Sequence, residues 1–268
     1  KRYVASSGRT ILHFIYSVHF MTVILYLIPN TLGPCDDNQH PLAHIIPETV
    51  QAMSAQLHYF VAENAKTARA HLKLINQYHP LSKPIQELHI AELHVNTPAT
   101  ELDALITPLL QGHDVGLISE AGVPAVADPG ANLVRLAHQK GIIVRPLVGP
   151  SSLLLGLMGS GLNGQSFAFH GYLPTDTAAR AKRIKELEDR SRKEKQTQLF
   201  IETPYRNAAM LEALCTQCAG STLICVATDL SLSSEKIETL SASDWKKRLQ
   251  KNAAPDFHKK PSLFLFLA

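Results

Sequence analysis

The chain has 268 residues, of which 45% are hydrophobic and 18% charged, with a net charge of +3. That composition excludes a disordered chain and supports one large or two medium globular domains. The balance of 26 basic and 23 acidic residues neither demands nor excludes a nucleic-acid partner, and Cys35, Cys215, Cys218 and Cys225 are too few for a disulfide framework, which fits a reduced cytoplasmic protein.

Lys1, Arg2 and Arg9 precede an apolar run from Ile11 to Pro29. A run of that length resembles a membrane span or an export signal. His13, Ser17, His19 and Thr22 interrupt it, and no small-x-small cleavage site follows. The native start is therefore expected near Met21, which makes residues 1–20 a non-native or upstream extension and leaves no membrane segment.

Short β-branched runs then alternate with helical patterns. Strands are expected at 23–28, 58–62, 88–93, 115–119 and 142–147. Helices are expected at 48–56, 65–77, 99–111 and 131–139, with Thr97-Pro98 as a helix start and Gly141 as a helix end. Continuous apolar strands separated by helices imply a mostly parallel sheet covered on both faces. The turn at Val148-Gly149-Pro150-Ser151 divides an N-terminal α/β domain, 21–148, from a C-terminal one, 149–268. The second half holds an apolar helix at 152–158, strands at 167–172, 198–202, 222–228 and 263–267, a charged helix at 177–195, and helices at 205–218 and 242–250.

Several motifs are weaker than they look. Residues 159–164 match G-x-G-x-x-G, but they follow a helix and precede a strand, the reverse of a dinucleotide loop. Cys215 and Cys218 match C-x-x-C at a helix end, where no N-terminal dipole activates a thiol, and Cys225 supplies no second pair. The 13 histidines show no metal spacing, so no metal is expected.

The segment from Asp114 to Gly130 is more informative. A buried strand runs into a long loop that carries Glu120 and Asp128, with glycines at 122 and 130 and prolines at 124 and 129. Ligands of open α/β sheets bind beyond the carboxyl ends of strands. Glycines permit close backbone approach, prolines stiffen the loop, and the carboxylates would attract a cationic ligand.

Residues 118–130, Ile-Ser-Glu-Ala-Gly-Val-Pro-Ala-Val-Ala-Asp-Pro-Gly, resemble the I-S-D-A-G-x-P-x-x-x-D-P-G signature of the bacterial 16S ribosomal RNA cytidine 2′-O-methyltransferases, a branch of the tetrapyrrole-methylase superfamily. Further segments resemble that branch in colinear order. They are 25–33 with its Pro-Asn-Thr-Leu-Gly loop, Ala-Glu-Asn-Ala-Lys-Thr at 62–67, Pro-Leu-Val-Gly-Pro-Ser at 146–151, Phe-His-Gly-Tyr-Leu-Pro at 169–174 and Glu-Thr-Pro-Tyr-Arg at 202–206.

The resemblance implies two α/β domains, a mostly parallel N-terminal sheet and a mixed C-terminal one. S-adenosylmethionine would lie in the cleft between them, in a homodimeric enzyme. Carried over residue by residue, the cofactor contacts are Pro29, Asn30, Ser119, Glu120, Ala121, Gly122, Val126, Ala127 and Asp128, with Thr203, Pro204 and Tyr205 closing the cleft. Glu63 and Glu202 are the candidate proton acceptors. The chain departs from the branch at Glu120 for Asp, at Asn64 and Lys66 for Asp and Arg, and at 227–232, where two basic residues are lost. The expected substrate is RNA of the 30S subunit. Lys182, Arg183, Lys185, Arg190, Arg192, Lys193 and Lys195 are candidate phosphate contacts, with Lys246, Lys247, Arg248 and Lys251. A tetrapyrrole or corrin precursor is the alternative acceptor, and a binding module that has lost its chemistry is the second alternative.

Overall fold

The structure, a computed structural model, describes residues 23–34 and 42–268. The expected extension at 1–20 lies outside the described residues.

In the first half, β1 (Ile24–Ile28), α1 (Glu48–Ala55), β2 (Tyr59–Ala62), α2 (Ala65–Asn76), β3 (His89–Glu92), α3 (Ala99–Leu105), α4 (Thr107–Leu110), β4 (Val115–Ile118), α5 (Ala131–Gln139) and β5 (Ile143–Pro146) follow in order. The strands form an all-parallel sheet of order β3-β2-β4-β1-β5. Side-chain alternation along each strand decides which helices cover which face. Tyr26, Ile28, Phe60, Ala62 and Ile118 pack with α1 and α2, whereas Leu25, Val61, Val115 and Leu117 pack with α3, α4 and α5. Each fully buried Leu, Ile or Phe contributes roughly 1.5–3 kcal/mol of burial free energy.

The helix expected at 99–111 is interrupted at Ile106, and α4 restarts with Pro108 in its first turn. Proline lacks the amide hydrogen and crowds the carbonyl four residues back, so one continuous helix is disfavoured there.

In the second half, α6 (Ser152–Ser160), β6 (Phe167–Tyr172), α7 (Thr177–Glu194), β7 (Thr197–Glu202), α8 (Asn207–Gln217), β8 (Leu223–Thr228), β9 (Lys236–Ser241), α9 (Ala242–Gln250) and β10 (Ser262–Leu267) follow. Their sheet is mixed, of order β6-β7-β10-β8-β9, with only β6 and β7 parallel. The last strand, β10, lies at its centre and is buried along almost its whole length. Phe200, Val226, Phe264 and Phe266 face α7, α8 and α9, and Leu199, Cys225, Leu263 and Leu265 face α6. Trp245 of α9 is fully buried and donates its indole N–H to the Ile224 carbonyl at 2.9 Å.

β9 is absent from the sequence-based expectation. It is a half-buried edge strand whose pairing with β8 supplies the hydrogen bonds that its short polar sequence does not advertise. The expected helix at 205–218 divides into a 3-10 turn, Pro204–Arg206, and α8. Among the described residues no helix is long and apolar enough to cross a membrane.

One core residue sets an acid limit on stability. His71 of α2 is 2% exposed, and neither ring nitrogen has a hydrogen-bond partner among the described residues. Burial pushes its pKa down from 6.5 to about 4. The folded-state value lies below the unfolded one, so the contribution to stability is complete above pH 6.5 and is lost as pH falls toward 4. A depression of that size corresponds to about 3 kcal/mol. His71→Leu is expected to raise stability by about 1–3 kcal/mol at pH 7 and to flatten the acid limb. Urea unfolding at pH 7 and pH 5 checks this, and an unchanged pH dependence would count against it.

Candidate functional site

The loops that leave the carboxyl ends of β1, β4 and β5 meet beneath the second sheet. Asn30 ties the first two together. Its backbone exchanges hydrogen bonds with Gly122 at 2.8 and 3.1 Å, and its amide donates to the carbonyls of Ser119 and Glu120, each at 3.1 Å. Ser119 Oγ donates to the Ala121 carbonyl at 2.9 Å. Gly122 has φ +74 and faces the Pro150 carbonyl, so a side chain there would meet both strain and the third loop. Ala125 and Ala127 also have positive φ, 64 and 57. Such backbone costs roughly 1–3 kcal/mol per residue and concentrates at functional sites.

Two cavities flank this loop. The larger, about 570 Å³, is lined by Glu63, Glu120, Ala127, Asp128, Tyr172 and the exit of β3 around His94. The smaller, about 280 Å³, is lined by Leu32, Ala121, Ile201, Glu202, Pro204 and Leu263. Tyr172 lines both. The residues expected to contact a cofactor therefore divide: Glu120, Ala127 and Asp128 face the larger cavity, and Ala121 and Pro204 the smaller. Asn30 lies behind them as the staple, and Pro29 packs against Gly149. Val126 is half exposed, and Tyr205 is 74% exposed with Lys259 over its ring. Thr203 lines neither cavity, and its Oγ1 accepts from Arg206 Nε at 3.2 Å.

The larger cavity concentrates negative charge. Burial pushes the Asp128 pKa up to about 7, and the nearby Glu63 and Glu120 carboxylates push in the same direction. Glu63 and Asp128 line the same cavity. Glu120 Oε1 accepts from Thr67 Oγ1 at 3.2 Å. Asn64 keeps a structural role, because its Oδ1 accepts from the Lys66 and Thr67 amides and caps α2.

Glu63 and Glu202, expected as alternative proton acceptors, belong to different cavities. Glu202 is 5% exposed. Its Oε1 accepts from the Thr203 amide at 2.6 Å and from Arg206 Nε and Nη2 at 3.0 and 2.6 Å. Its Oε2 has no partner among the described residues. Tyr172, His94 and Leu263 lie outside the expected site, and only the aromatic Tyr172, in a segment that resembles the family, carries a usable signal.

Several basic residues of α7 and α9, the proposed arginines above all, are paired with neighbouring acids. Arg183 pairs with Glu186, Arg190 with Glu194, Arg192 with Asp189 and Glu188, Lys247 with Asp244, and Arg248 with Glu238. Cys215 and Cys218 are buried, and burial pushes their thiols up to about 11 and about 12, which leaves them inert. Among the described residues no group of His, Cys, Asp and Glu could hold a metal ion.

An acidic chamber beside an apolar one suits a ligand that combines a cationic centre with a flat apolar part. No family model matches the chain. It is 28% identical over 221 residues to a Vibrio cholerae protein named ribosomal RNA small subunit methyltransferase I, covering 82% of this chain and 69% of that one. Proteins of the same name from Xylella fastidiosa and Pseudomonas aeruginosa are 37% and 34% identical over 145 and 162 residues. The chain covers 52% and 56% of their lengths, and 54% and 59% of its own length is matched. Among solved structures, the methyltransferase CobJ is similar with a TM-score of 0.56 at 17% identity, over 91% of this chain and 93% of that one. The cobalt precorrin-4 methyltransferase CbiF gives 0.54 at 14%, over 92% and 95%. At these identities the structural likeness is one of fold.

Proposed function

We propose, for a chain that has the tetrapyrrole-methylase fold and is homologous to the proteins named ribosomal RNA small subunit methyltransferase I, that it is an S-adenosylmethionine-dependent methyltransferase acting on ribosomal RNA. The observation that carries this reading is the strained 119–130 loop, which lines an acidic cavity on one side and an apolar one on the other. Two domains, 21–148 and 149–268, are part of the proposal, and the division of the strands into two separate sheets supports it.

When bound, S-adenosylmethionine supplies a sulfonium-activated methyl group. The residues that would hold it are those of the loops at Pro29–Asn30, Ser119–Gly122 and Val126–Asp128, with Pro204 and the Leu263 region from the second sheet. Glu63, Glu120 and Asp128 would attract its positive charge. The stapled loops fix donor and acceptor without reorganisation, which is where most of the rate comes from in such a displacement.

A ribose 2′-hydroxyl is the proposed acceptor. Its proton needs a base, and Asp128, which titrates near neutrality and faces the larger cavity, is the proposed one, with Glu63 as its partner. The resemblance to proteins named ribosomal RNA small subunit methyltransferase I supports the RNA reading over that alternative. Since many of the arginines are committed to neighbouring acids, Lys182, Lys193, Lys195, Lys246 and Lys251 become the candidates for phosphate contacts. A ribosomal substrate implies the cytoplasm. A homodimer is part of the proposal: Leu154 and Met158, one turn apart on α6, are 53% and 78% exposed.

The test is transfer of labelled methyl groups from S-adenosylmethionine to 30S subunits. Label is expected in ribosomal RNA and, after nuclease digestion, in a 2′-O-methylnucleoside. Transfer to precorrin extracts alone, or no calorimetric binding of the cofactor at millimolar concentration, would overturn the reading.

A further inference from the structure

A group of rings gathers at the other end of the first sheet. A cavity of about 340 Å³ opens there, at the amino ends of β1, β2 and β4, with Tyr26, His58, Tyr59, His113 and Asp114 in its walls. The 4 residues of β4 separate it from the 119–130 loop, roughly 13 Å of strand. The rings are ordered. Tyr59 of β2 stacks on His89, its partner in register on β3, with centroids 5.0 Å apart and planes at 12°. Toward β4 it stacks on His113, again with centroids 5.0 Å apart. Both outer rings, His89 and His113, are exposed.

Positive charge flanks the cavity. Lys83, from the turn before β3, acts on His58, and Arg145 of β5 lies over the Tyr26 ring at 5.8 Å. Burial lowers the His58 pKa, and Lys83, His113 and His89 lower it further. Among the described residues neither Lys83 nor Arg145 forms an ion pair, and the imidazoles of His58 and His113 make no hydrogen bond. Asp114, the acid in the wall, is engaged by the Ile24 amide, which donates to its Oδ1 at 2.7 Å. Exposed stacked rings beside unpaired cations suit a ligand that joins a flat ring to an anion, which is the chemistry of a nucleotide. A metal ion does not fit, because among the described residues no group of His, Cys, Asp and Glu could hold one.

We propose that this cavity is a nucleotide-binding site separate from the site of methyl transfer. A nucleobase continues the His89–Tyr59–His113 stack at His113, and its phosphate is met by Lys83, Arg145 and the His58 imidazole. The nucleotide comes from an RNA strand or is free in solution, and the chemistry that recognises it is the same. The site stands on its own geometry and does not require the methyltransferase reading.

Titrations of the full chain with a short single-stranded oligoribonucleotide and with guanosine 5′-monophosphate test it. His113→Ala is expected to weaken binding about tenfold, the size of one lost base stack, and His113→Phe, which keeps a ring face, to preserve it. Lys83→Ala is expected to weaken binding and to flatten its salt dependence. Affinity for S-adenosylhomocysteine should not change in any of the three. Losses seen with both ligands support a site for a free nucleotide, and losses confined to the oligonucleotide support a site for a strand. In the wild type, an oligonucleotide carrying 4-thiouridine is expected to crosslink at Tyr59 or His113, a readout that stands even if a variant fails to fold. Crosslinks confined to the 119–130 loop, no binding of either ligand to the wild type, or wild-type affinity in both His113→Ala and Lys83→Ala overturn the proposal. So does equal weakening by His113→Ala and His113→Phe, which would deny the stack.

Discussion

Asp128→Asn is expected to lower kcat for methyl transfer by about 10²- to 10⁴-fold, the usual span for loss of a general base. Asn preserves shape and hydrogen bonding but takes up no proton. The acceptor form of Asp128 is the ionised one, and its pKa is about 7, raised by burial and by Glu63 and Glu120. The wild-type rate should therefore climb as pH rises through 7 and level off above. Glu63→Gln removes a neighbouring negative charge that raises the Asp128 pKa, so the rising limb should move to lower pH. A purely structural Glu63 would change the rate without moving that limb. Stability supplies an independent sign. The folded-state pKa of Asp128 lies above its unfolded value of 3.8, so its favourable contribution is complete below pH 3.8 and is lost as pH rises through 7. Asp128→Asn should accordingly be more stable than the wild type at pH 8 while far less active. Stopped or quenched-flow kinetics from pH 5.5 to 9, with thermal unfolding at both ends, decide it. A kcat within about threefold of wild type at pH 8 would remove Asp128 from the chemistry.

Gly149→Ala is expected to disable the site from its scaffold. A Cβ on Gly149 would lie 2.2 Å from Cβ and Cγ of Pro29. A proline ring has no rotamer that moves it aside. The backbone is equally constrained, because the Leu147 amide donates to the Leu27 carbonyl at 3.0 Å and holds the exit of β5 against β1. Relief must come from the Pro29–Asn30 loop, and Asn30 carries the 119–122 loop with it through its bridge to Gly122. Overpacking of this kind costs about 1–3 kcal/mol. In a chain of this size that lowers Tm by roughly 2–4 °C per kcal/mol. Cofactor affinity should fall at least about tenfold, since an ångström-scale displacement in a preorganised site is costly. Gly164→Ala is the control, because a Cβ there meets nothing within 4 Å. Equal behaviour of the two variants would mean that the contact at Pro29 does not hold the loops.

Much of the architecture is legible in local patterns. All five parallel strands follow from their short β-branched runs, and helix α5 has the bounds expected for it. The elements that depart from expectation have two causes. β9, the break at Ile106 and the turn before α8 are set by pairing partners and by prolines competing with helical periodicity, not by the periodicity itself.

The 119–130 loop is legible because its glycines, prolines and acids lie within one short segment. Its chemistry is not. Asp128 and Glu63 are 65 residues apart in number and meet only because β2 and β4 are neighbours in the sheet. The sequence offers Glu202 as a base, yet the turn after β7 locks it to Arg206, and its place in the apolar cavity emerges only when β7 packs against β10. The basic clusters look free in the one-dimensional sequence, and many prove to be paired one helical turn away.

The sequence by itself determined the alternation of apolar faces, and with it the two sheets and the loop that leaves β4, because burial period and turn chemistry act over a few residues. Tertiary structure decided which carboxylate is half-neutral, which is locked to an arginine, and which cavity each one faces. Proton affinity and partner choice depend on dielectric and distance between groups that the chain brings together from far apart.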